Sequence, residues 1–138
     1  MITVIDASAV GALVLPDEEG RFAAIAAETA GRDELIAPMH LPIETASLIR
    51  KAVRQERLAK AAMSTAVGVA TAILDSVEPD DLLPIGPTLA LAFEHGLSVY
   101  DAAYLELAIR RSAALLTGDG KLAQAAASLA VPLPFYTA

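Results

Sequence analysis

Four acidic residues stand at the boundaries between apolar segments and helix-forming segments of the sequence. They are Asp6, Glu44, Asp101 and Asp119. If a fold brings them together, two unit charges 4 Å apart repel each other by about 4 kcal/mol at an effective dielectric of 20. Such a cluster is tolerated only where some of the acids are protonated or a cation lies among them.

The residue types narrow the choice of cation. The sequence has no cysteine and two histidines, His40 and His95, that no pattern brings together. Oxygen ligands without sulfur or clustered imidazole select hard cations such as Mg²⁺ or Mn²⁺. Proteins use these cations mostly for phosphoryl transfer and for phosphodiester hydrolysis. Converging acids would therefore indicate a metal-dependent enzyme that acts on phosphate esters.

Each acid taken alone also has an interpretation that needs no ligand. Asp6 could N-cap a helix over residues 7–14, and Asp119 could cap a later helix. Glu44 and Asp101 could interact favourably with helix dipoles from first-turn positions. Ser98 and Asp101 also have the spacing of a variant capping box. With caps alone, the chain would be a non-catalytic α/β binding or adaptor domain.

Short apolar runs alternate with helix-forming segments along the chain. Strands are expected at residues 2–5, 34–38, 82–85, 113–117 and 131–135. Helices are expected over residues 7–14, 18–30, 41–55, 59–76, 87–95 and 99–112 and within 118–128. The acids of DEEG, residues 17–20, are expected in the first turn of the second helix, and EPDD, residues 78–81, in a loop.

This alternation predicts a three-layer α/β/α sandwich with a mainly parallel central sheet. A chain of 138 residues suits a single domain over residues 1–138. In such sheets ligands gather beyond the carboxyl ends of the strands, which is where the acids stand.

Composition excludes several classes of protein. Hydrophobic residues make up 55% and charged residues 20% of the chain, a balance typical of folded globular domains. The small-residue run over 61–74 is shorter than the roughly 20 apolar residues of a membrane span, so no membrane partner is expected. The absence of cysteine excludes thiol chemistry and agrees with a cytoplasmic location.

The distribution of charge along the sequence says more about a nucleic-acid partner than the net charge does. A net charge of −7 argues against a nucleic-acid partner. However, half of the ten basic residues lie between positions 50 and 60. They are Arg50, Lys51, Arg54, Arg57 and Lys60. This segment is either a solvated helix end or a phosphate-contacting patch. Lys51 follows Glu44 by seven residues, which places both on one helix face.

Four segments resemble the successive motifs of the PIN-domain family. They are VIDASAV, LPIETASLIRKA, LSVYDAAYLELA and LLTGDGKLA, in the order and over the length that the family shows. The similarity is strongest to the VapC-type toxin ribonucleases of type II toxin–antitoxin pairs. The resemblance implies that the acids of the four segments are catalytic and bind metal. These residues are Asp6, Glu44, Asp101 and Asp119. It also implies that Ser8 and Thr117 are polar supporting residues.

The resemblance further implies a Mg²⁺- or Mn²⁺-dependent endoribonuclease that is the toxin of a VapBC-type pair. A bound metal would lower the pKa of a water and neutralise charge in the transition state. The implied partners are an RNA substrate, a small antitoxin and a second copy in a homodimer. Arg50, Lys51 and Arg54 are the candidate RNA contacts. Leu13, Leu15 and Phe22 are candidates for an apolar groove that the antitoxin covers.

Two other enzyme classes and one inactive form compete with this interpretation. Another metal-dependent phosphodiesterase could use the same acids. An aspartyl-phosphate phosphatase usually has a second aspartate two residues after the first, where this chain has Ser8. A PIN domain that has lost activity would serve as a binding module.

Overall fold

A computed structural model describes residues 1–18 and 20–137, and within them a four-stranded, all-parallel sheet is flanked by helices. The strands are β1 (Ile2–Ile5), β2 (Glu34–Pro38), β3 (Val77–Asp80) and β4 (Ala114–Leu116). Their order in the sheet is β3-β2-β1-β4, and Thr3 of β1 pairs with Leu35 on one side and Ala114 on the other. The predicted α/β sandwich with a parallel sheet is confirmed.

The helices alternate with the strands along the chain. They are α1 (Ala7–Val14), α2 (Arg21–Arg32), α3 (Leu41–Arg54), α4 (Met63–Asp75), α5 (Ile85–His95), α6 (Val99–Arg110), α7 (Gly120–Ser128) and α8 (Pro134–Thr137). A single 3₁₀ turn, Lys60–Ala62, precedes α4 and divides the helix that the sequence predicts over residues 59–76. No helix of the described residues is long and apolar enough to cross a membrane.

The strand order places a topological switch point beside β1. The chain builds the sheet from β1 through β2 to β3, and then returns to add β4 on the other side of β1. The connection from β1 therefore leads to β2 on one side of it, whereas the connection from β3 leads to β4 on the other side. A crevice opens at such a point, outside the carboxyl ends of the two strands. Asp6 directly follows β1, and Thr117 to Asp119 directly follow β4.

The core explains why the central strands form where the sequence predicts them. Val4 and Ile5 of β1 and Leu115 and Leu116 of β4 are almost completely buried, as expected for parallel strands covered on both faces. Leu13 and Phe22 pack against this core. Leu15 belongs to a second apolar cluster with residues of α3 and α4. All three candidate groove residues therefore contribute to the packing of the chain itself.

The predictions of strands at residues 82–85 and 131–135 are wrong. Residues 82–85 are a loop and the start of α5, whereas the strand is β3, which includes three of the four residues expected in the EPDD loop. β3 is an edge strand that pairs only with β2, so it tolerates Pro79. Residues 131–135 form no strand, and α8 begins at Pro134. Pro132 accepts one hydrogen bond from Leu115 N, but prolines cannot donate to a ladder.

The second helix starts later than predicted. It begins at Arg21 after Gly20, whose φ of 107° lies in a region open mainly to glycine. Asp17 and Glu18 therefore precede the helix, where both contact Arg57 at 2.8 and 3.1 Å. Glu19 lies outside the described residues.

An ion-pair network joins the end of β3 to the end of α6. Arg110 contacts Asp80 at 3.1 Å and Glu106 at 2.9 Å, and Arg111 reaches Asp80 at 3.4 Å. The two carboxylate side chains are 10% and 8% exposed. Hydrogen bonds from Arg110 hold the pKa of Asp80 below its usual value. The network anchors the edge strand to the helix that carries Asp101.

Replacing Arg110 should destabilise the chain more than replacing its neighbour. Arg110→Met leaves two largely buried carboxylates without their main partner, and we expect a loss of about 2 to 3 kcal/mol in unfolding free energy at neutral pH. Arg111→Met removes one longer contact and should cost less than about 1 kcal/mol. Urea unfolding measures both losses, and equal losses would contradict the anchoring role of Arg110.

Candidate active site

All four acids that the sequence singles out line one open cleft at the switch point. The cleft has a volume of about 490 Å³, and its lining includes Asp6, Glu44, Asp101 and Asp119. Ser8, Lys51 and Tyr104 lie in the same cleft. The acids come from four separate elements, so only the tertiary fold brings them together.

Asp6 is buried and also caps α1. Its Oδ1 accepts hydrogen bonds from Ala9 N at 3.0 Å and from Ser8 Oγ at 2.6 Å. Burial raises the pKa of Asp6 to about 6, and the charge of Asp101 acts in the same direction. Hydrogen bonds from Ser8, Thr117 and Ala9 partly oppose this shift in pKa. The capping interpretation is thus correct for Asp6, and it does not remove the side chain from the cleft.

Ser8 and Thr117 connect the ends of β1 and β4. The Ser8 hydroxyl donates to Asp6 and accepts from Gly118 N at 2.8 Å. The fully buried Thr117 accepts at Oγ1 from Asp119 N at 3.0 Å. Both hydroxyls therefore fix an acid relative to the backbone, which is the geometry expected of supporting residues.

Gly118 lies where the chain has no room for a side chain. A Cβ atom there would stand 2.7 Å from the Phe22 ring, closer than real Cβ atoms approach a neighbour. The Tyr136 hydroxyl donates to Gly118 O at 3.2 Å. Packing on one side and a hydrogen bond on the other hold the loop that carries Asp119.

Asp119 caps α7 through one oxygen. Its Oδ1 accepts from Lys121 N at 2.9 Å and from Leu122 N at 3.1 Å. Within the described residues both of these hydrogen bonds end on the same oxygen. The carboxylate can therefore keep its cap while its second oxygen faces a ligand.

The Asp101 carboxylate interacts electrostatically with the acids around it. Burial raises its pKa, and the charges of Asp119 and then Glu44 raise it further. Asp101 in turn contributes to the raised pKa of Asp6. Ser98 Oγ accepts from Asp101 N at 3.1 Å, which is the capping contact that the spacing of these residues predicts.

Glu44 contacts two residues that sequence reasoning did not place at the site. His40 Nε2 lies 2.9 Å from Glu44 Oε1, although the two atoms are not aligned for a regular hydrogen bond. Tyr104 is fully buried, and burial followed by the charges of Glu44 and Asp6 raises the pKa of its phenol. One signal was present: His40 precedes Glu44 by four residues, and Tyr104 follows Asp101 by three, which is one helical turn in each case.

The predicted basic patch divides into two parts. Lys51 lines the acid cleft, and an adjoining cleft of about 410 Å³ is lined by Arg50, Lys51 and Arg54, among others. None of the ion pairs within the described residues involves these three side chains. Arg57 also lines the acid cleft, but its charge is paired with Asp17 and Glu18.

The donor set fits a hard divalent cation. It consists of carboxylates with neighbouring hydroxyls, and the raised pKa of Asp6 shows that its negative charge is poorly compensated by the chain itself. No group of three or more His, Asp or Glu side chains in the described part of the chain is arranged to hold one ion. Mg²⁺ usually binds one or two carboxylates and keeps several waters. The residue types at the cleft therefore fit a hard divalent cation, which these acids would hold directly or through water.

Asp6 predicts a pH dependence of stability. Burial raises its pKa from 3.8 to about 6 in the folded chain, so the folded state binds this proton more tightly than the unfolded state. The stabilising effect of this proton is complete below pH 3.8 and is lost as the pH rises through about 6. Between about pH 4 and pH 7, metal-free wild type should lose about 2 kcal/mol more unfolding free energy than Asp6→Asn.

Urea unfolding in the presence of a chelator measures this difference. Asp75→Asn is the matched control, because Asp75 is exposed at the end of α4 and does not line the cleft. It should follow the pH dependence of the wild type. Parallel curves for wild type and Asp6→Asn would contradict the raised pKa.

Comparisons with known proteins agree with this architecture. The PIN domain model matches residues 3–128. Ribonuclease VapC3 from Pyrobaculum aerophilum is 32% identical over 133 residues, which are 96% of this chain and 100% of that protein. The crystal structure of PAE2754 from the same organism has a TM-score of 0.71 at 25% identity, covering 91% of this chain and 87% of that one.

A second solved structure is similar in fold. Mycobacterium tuberculosis VapC20, described as a toxin that cleaves the sarcin–ricin loop, has a TM-score of 0.60 and covers 89% of this chain and 94% of its own. At 17% identity this likeness shows the fold alone. The family match and the VapC3 relative each span most of the chain, as the four motifs of the sequence predict. The chain therefore belongs to the PIN-domain family and groups with its VapC-type members.

Proposed function

We propose that the chain is a Mg²⁺- or Mn²⁺-dependent endoribonuclease and the toxin of a VapBC-type toxin–antitoxin pair. The observation that carries the proposal is the cleft shared by Asp6, Glu44, Asp101 and Asp119. The name of one relative, Ribonuclease VapC3, supports RNA as the substrate class. We propose a cytoplasmic location, with which an RNA substrate and the absence of cysteine agree.

The four acids would have different roles in the reaction. Asp6 and Asp101 would bind the cation directly, and Asp119 would bind it directly or through water. When bound, the cation supplies a water of lowered pKa and positive charge beside the phosphate. Glu44 would be the other ligand or the group that orients the attacking water, because it lines the same cleft as the other three acids. The water oxygen would form a bond to phosphorus while the bond from phosphorus to the leaving oxygen breaks. The water would lose a proton to solvent, and the leaving oxygen would take up a proton from solvent.

The basic side chains of α3 fit the path of the RNA. Lys51 lies in the acid cleft and in the adjoining cleft, so it connects the two. Arg50 and Arg54 continue the positive charge away from the acids. Phosphates on either side of the cleaved bond would contact these residues, which offsets locally the net charge of −7.

The second candidate function is a non-catalytic binding domain, and the helix-capping contacts of the acids favour it. Asp6 and Asp119 do cap helices, so a non-catalytic binding domain would also retain them. A protein in which the acids only cap helices would not respond to divalent cations. The two functions therefore differ in a measurement that needs no substrate.

Mn²⁺ and Mg²⁺ should stabilise the wild type against thermal unfolding, and the stabilisation should grow with ion concentration because only the folded state holds the site. Asp101→Asn should abolish most of this stabilisation and should lower the rate of RNA cleavage by about 100-fold or more. Asp75→Asn should behave as the wild type. Thermal melts and cleavage of an end-labelled RNA measure both effects, and an ion response that survives Asp101→Asn would contradict the metal site.

The proposed toxin function implies two protein partners, an antitoxin and a second copy of the chain. A small antitoxin would bind beside the cleft and could place a basic side chain among the acids. A second copy of the chain fits an apolar face on α5, where Ile85, Leu89 and Phe93 form an i, i+4, i+8 stripe. Phe93 is 82% and Ile85 78% exposed, and such patches mark protein contacts. Met39 shares a pocket with the loop before α5 and extends this face.

Phe93→Glu should convert the dimer into a monomer, because a charge within an apolar twofold interface is left unpaired in both copies. Val67→Glu is the matched control, since Val67 is another exposed apolar residue but lies on α4. It should leave the dimer intact. Sedimentation velocity of both variants and the wild type measures the masses. A monomeric wild type or a dimeric Phe93→Glu would contradict this interface.

A further inference from the structure

The His40 side chain packs against two tyrosine rings and contacts the Glu44 carboxylate. Its ring centroid lies 4.9 Å from Tyr104 and 5.6 Å from Tyr100, and both tyrosines meet it edge-on. Its Nε2 is 2.9 Å from Glu44 Oε1. The side chains of the pair are 18% and 28% exposed. Packing therefore fixes the imidazole, and the imidazole faces the carboxylate.

Three neighbouring side chains around Glu44 have buried polar atoms that lack a hydrogen bond of regular geometry. They are His40 Nε2, Glu44 Oε1 and the Tyr104 hydroxyl, half of the six such side-chain atoms found among the described residues. Buried polar groups without well-aligned partners cost free energy, and the nitrogen that faces Glu44 Oε1 here is His40 Nε2 at 2.9 Å. Glu44 is the member that the proposed reaction uses.

The backbone fixes the spacing between His40 and Glu44. His40 is the residue before α3, and its carbonyl accepts the Glu44 backbone N–H at 3.1 Å. Residues four apart at a helix start lie on one face. The contact between His40 and Glu44 is therefore local to the start of α3, and Tyr104 of α6 packs against the His40 ring.

We propose that His40 is a positioning residue, which holds the Glu44 carboxylate in the orientation that the acid cleft uses. This inference rests on the proposed function of the cleft and adds a residue that acts through Glu44. Side chains that orient metal ligands typically change metal affinity by about 10- to 100-fold when they are replaced. His40 does not line the cleft, so it acts on Glu44 and not on the RNA.

Two substitutions of His40 separate orientation from packing. His40→Phe keeps the ring between the tyrosines and removes both nitrogens, whereas His40→Gln retains a donor that can reach Glu44. We expect His40→Phe to raise the Mn²⁺ dissociation constant by about 10- to 100-fold and His40→Gln to restore most of the affinity. Titration calorimetry with Mn²⁺ measures this directly. In cleavage assays His40→Phe should lower kcat and leave the KM for RNA nearly unchanged.

Two controls make the result specific. His95→Phe should leave Mn²⁺ affinity unchanged, because the Nε2 of His95 is also buried and unpaired but lies at the end of α5. In the Glu44→Gln background, His40→Phe should cause no further loss, since the two residues act as one unit. If His40→Phe fails to fold, His40→Asn replaces it, because the shorter amide cannot reach Glu44.

The outcomes distinguish this inference from the proposed function. Suppose that the wild type binds Mn²⁺ and cleaves RNA, and that the Mn²⁺ dissociation constant of His40→Phe is within about twofold of the wild-type value. This result overturns the role of His40 and leaves the proposed function intact. Additive losses for His40→Phe and Glu44→Gln overturn the role of His40 as well. A wild type that neither binds Mn²⁺ nor cleaves RNA overturns the proposed function, and the inference falls with it.

Discussion

A carboxylate buried at the junction of two parallel strands, that of Asp6, is the constraint on which the rest of the site depends. An isolated charge in this position would be unstable, because burial favours the protonated form and raises the pKa to about 6. Ser8, Ala9 and Thr117 donate hydrogen bonds that partly compensate. Two of these donors are hydroxyls that also bind the backbone of the loop after β4. Stabilising Asp6 therefore fixes the position of Asp119 as well.

Capping and ligand binding are compatible roles in this fold. A carboxylate has two oxygens, and the N-terminus of a helix needs only one acceptor at its cap. Asp119 accepts both backbone hydrogen bonds at a single oxygen, Oδ1. Helices that start at the carboxyl ends of parallel strands direct their capped ends toward the same crevice. Acids placed there for local stability are thereby available for a shared cation.

One helix accounts for much of the charge distribution around the cleft. α3 carries Glu44 in its first turn and Lys51 and Arg54 in its last turn, an arrangement that the helix dipole favours at both ends. In the function that we propose, the acidic end of α3 faces the cation and its basic end faces phosphates of the RNA. A chain of net charge −7 can in this way present a local positive surface. Arg57 adds little to that surface because Asp17 and Glu18 pair with it.

The sequence by itself determined the elements whose signals are local. The apolar run before Asp6, Pro42 at the start of α3 and Ser98 at the start of α6 placed β1, α3 and α6 close to their observed bounds. The family motifs then identified the four acids. These signals suffice because apolar periodicity and capping act within a few residues of one another.

Only the tertiary structure decided what depends on neighbours distant in the chain. β3 contains a glutamate, a proline and an aspartate, and it is a strand because β2 offers it a paired edge. The burial of Asp6 and the approach of Tyr104 to Glu44 follow from the order of the strands and the packing of α6. Neither is encoded by the residues beside them, since desolvation and charge repulsion depend on distances that the fold sets.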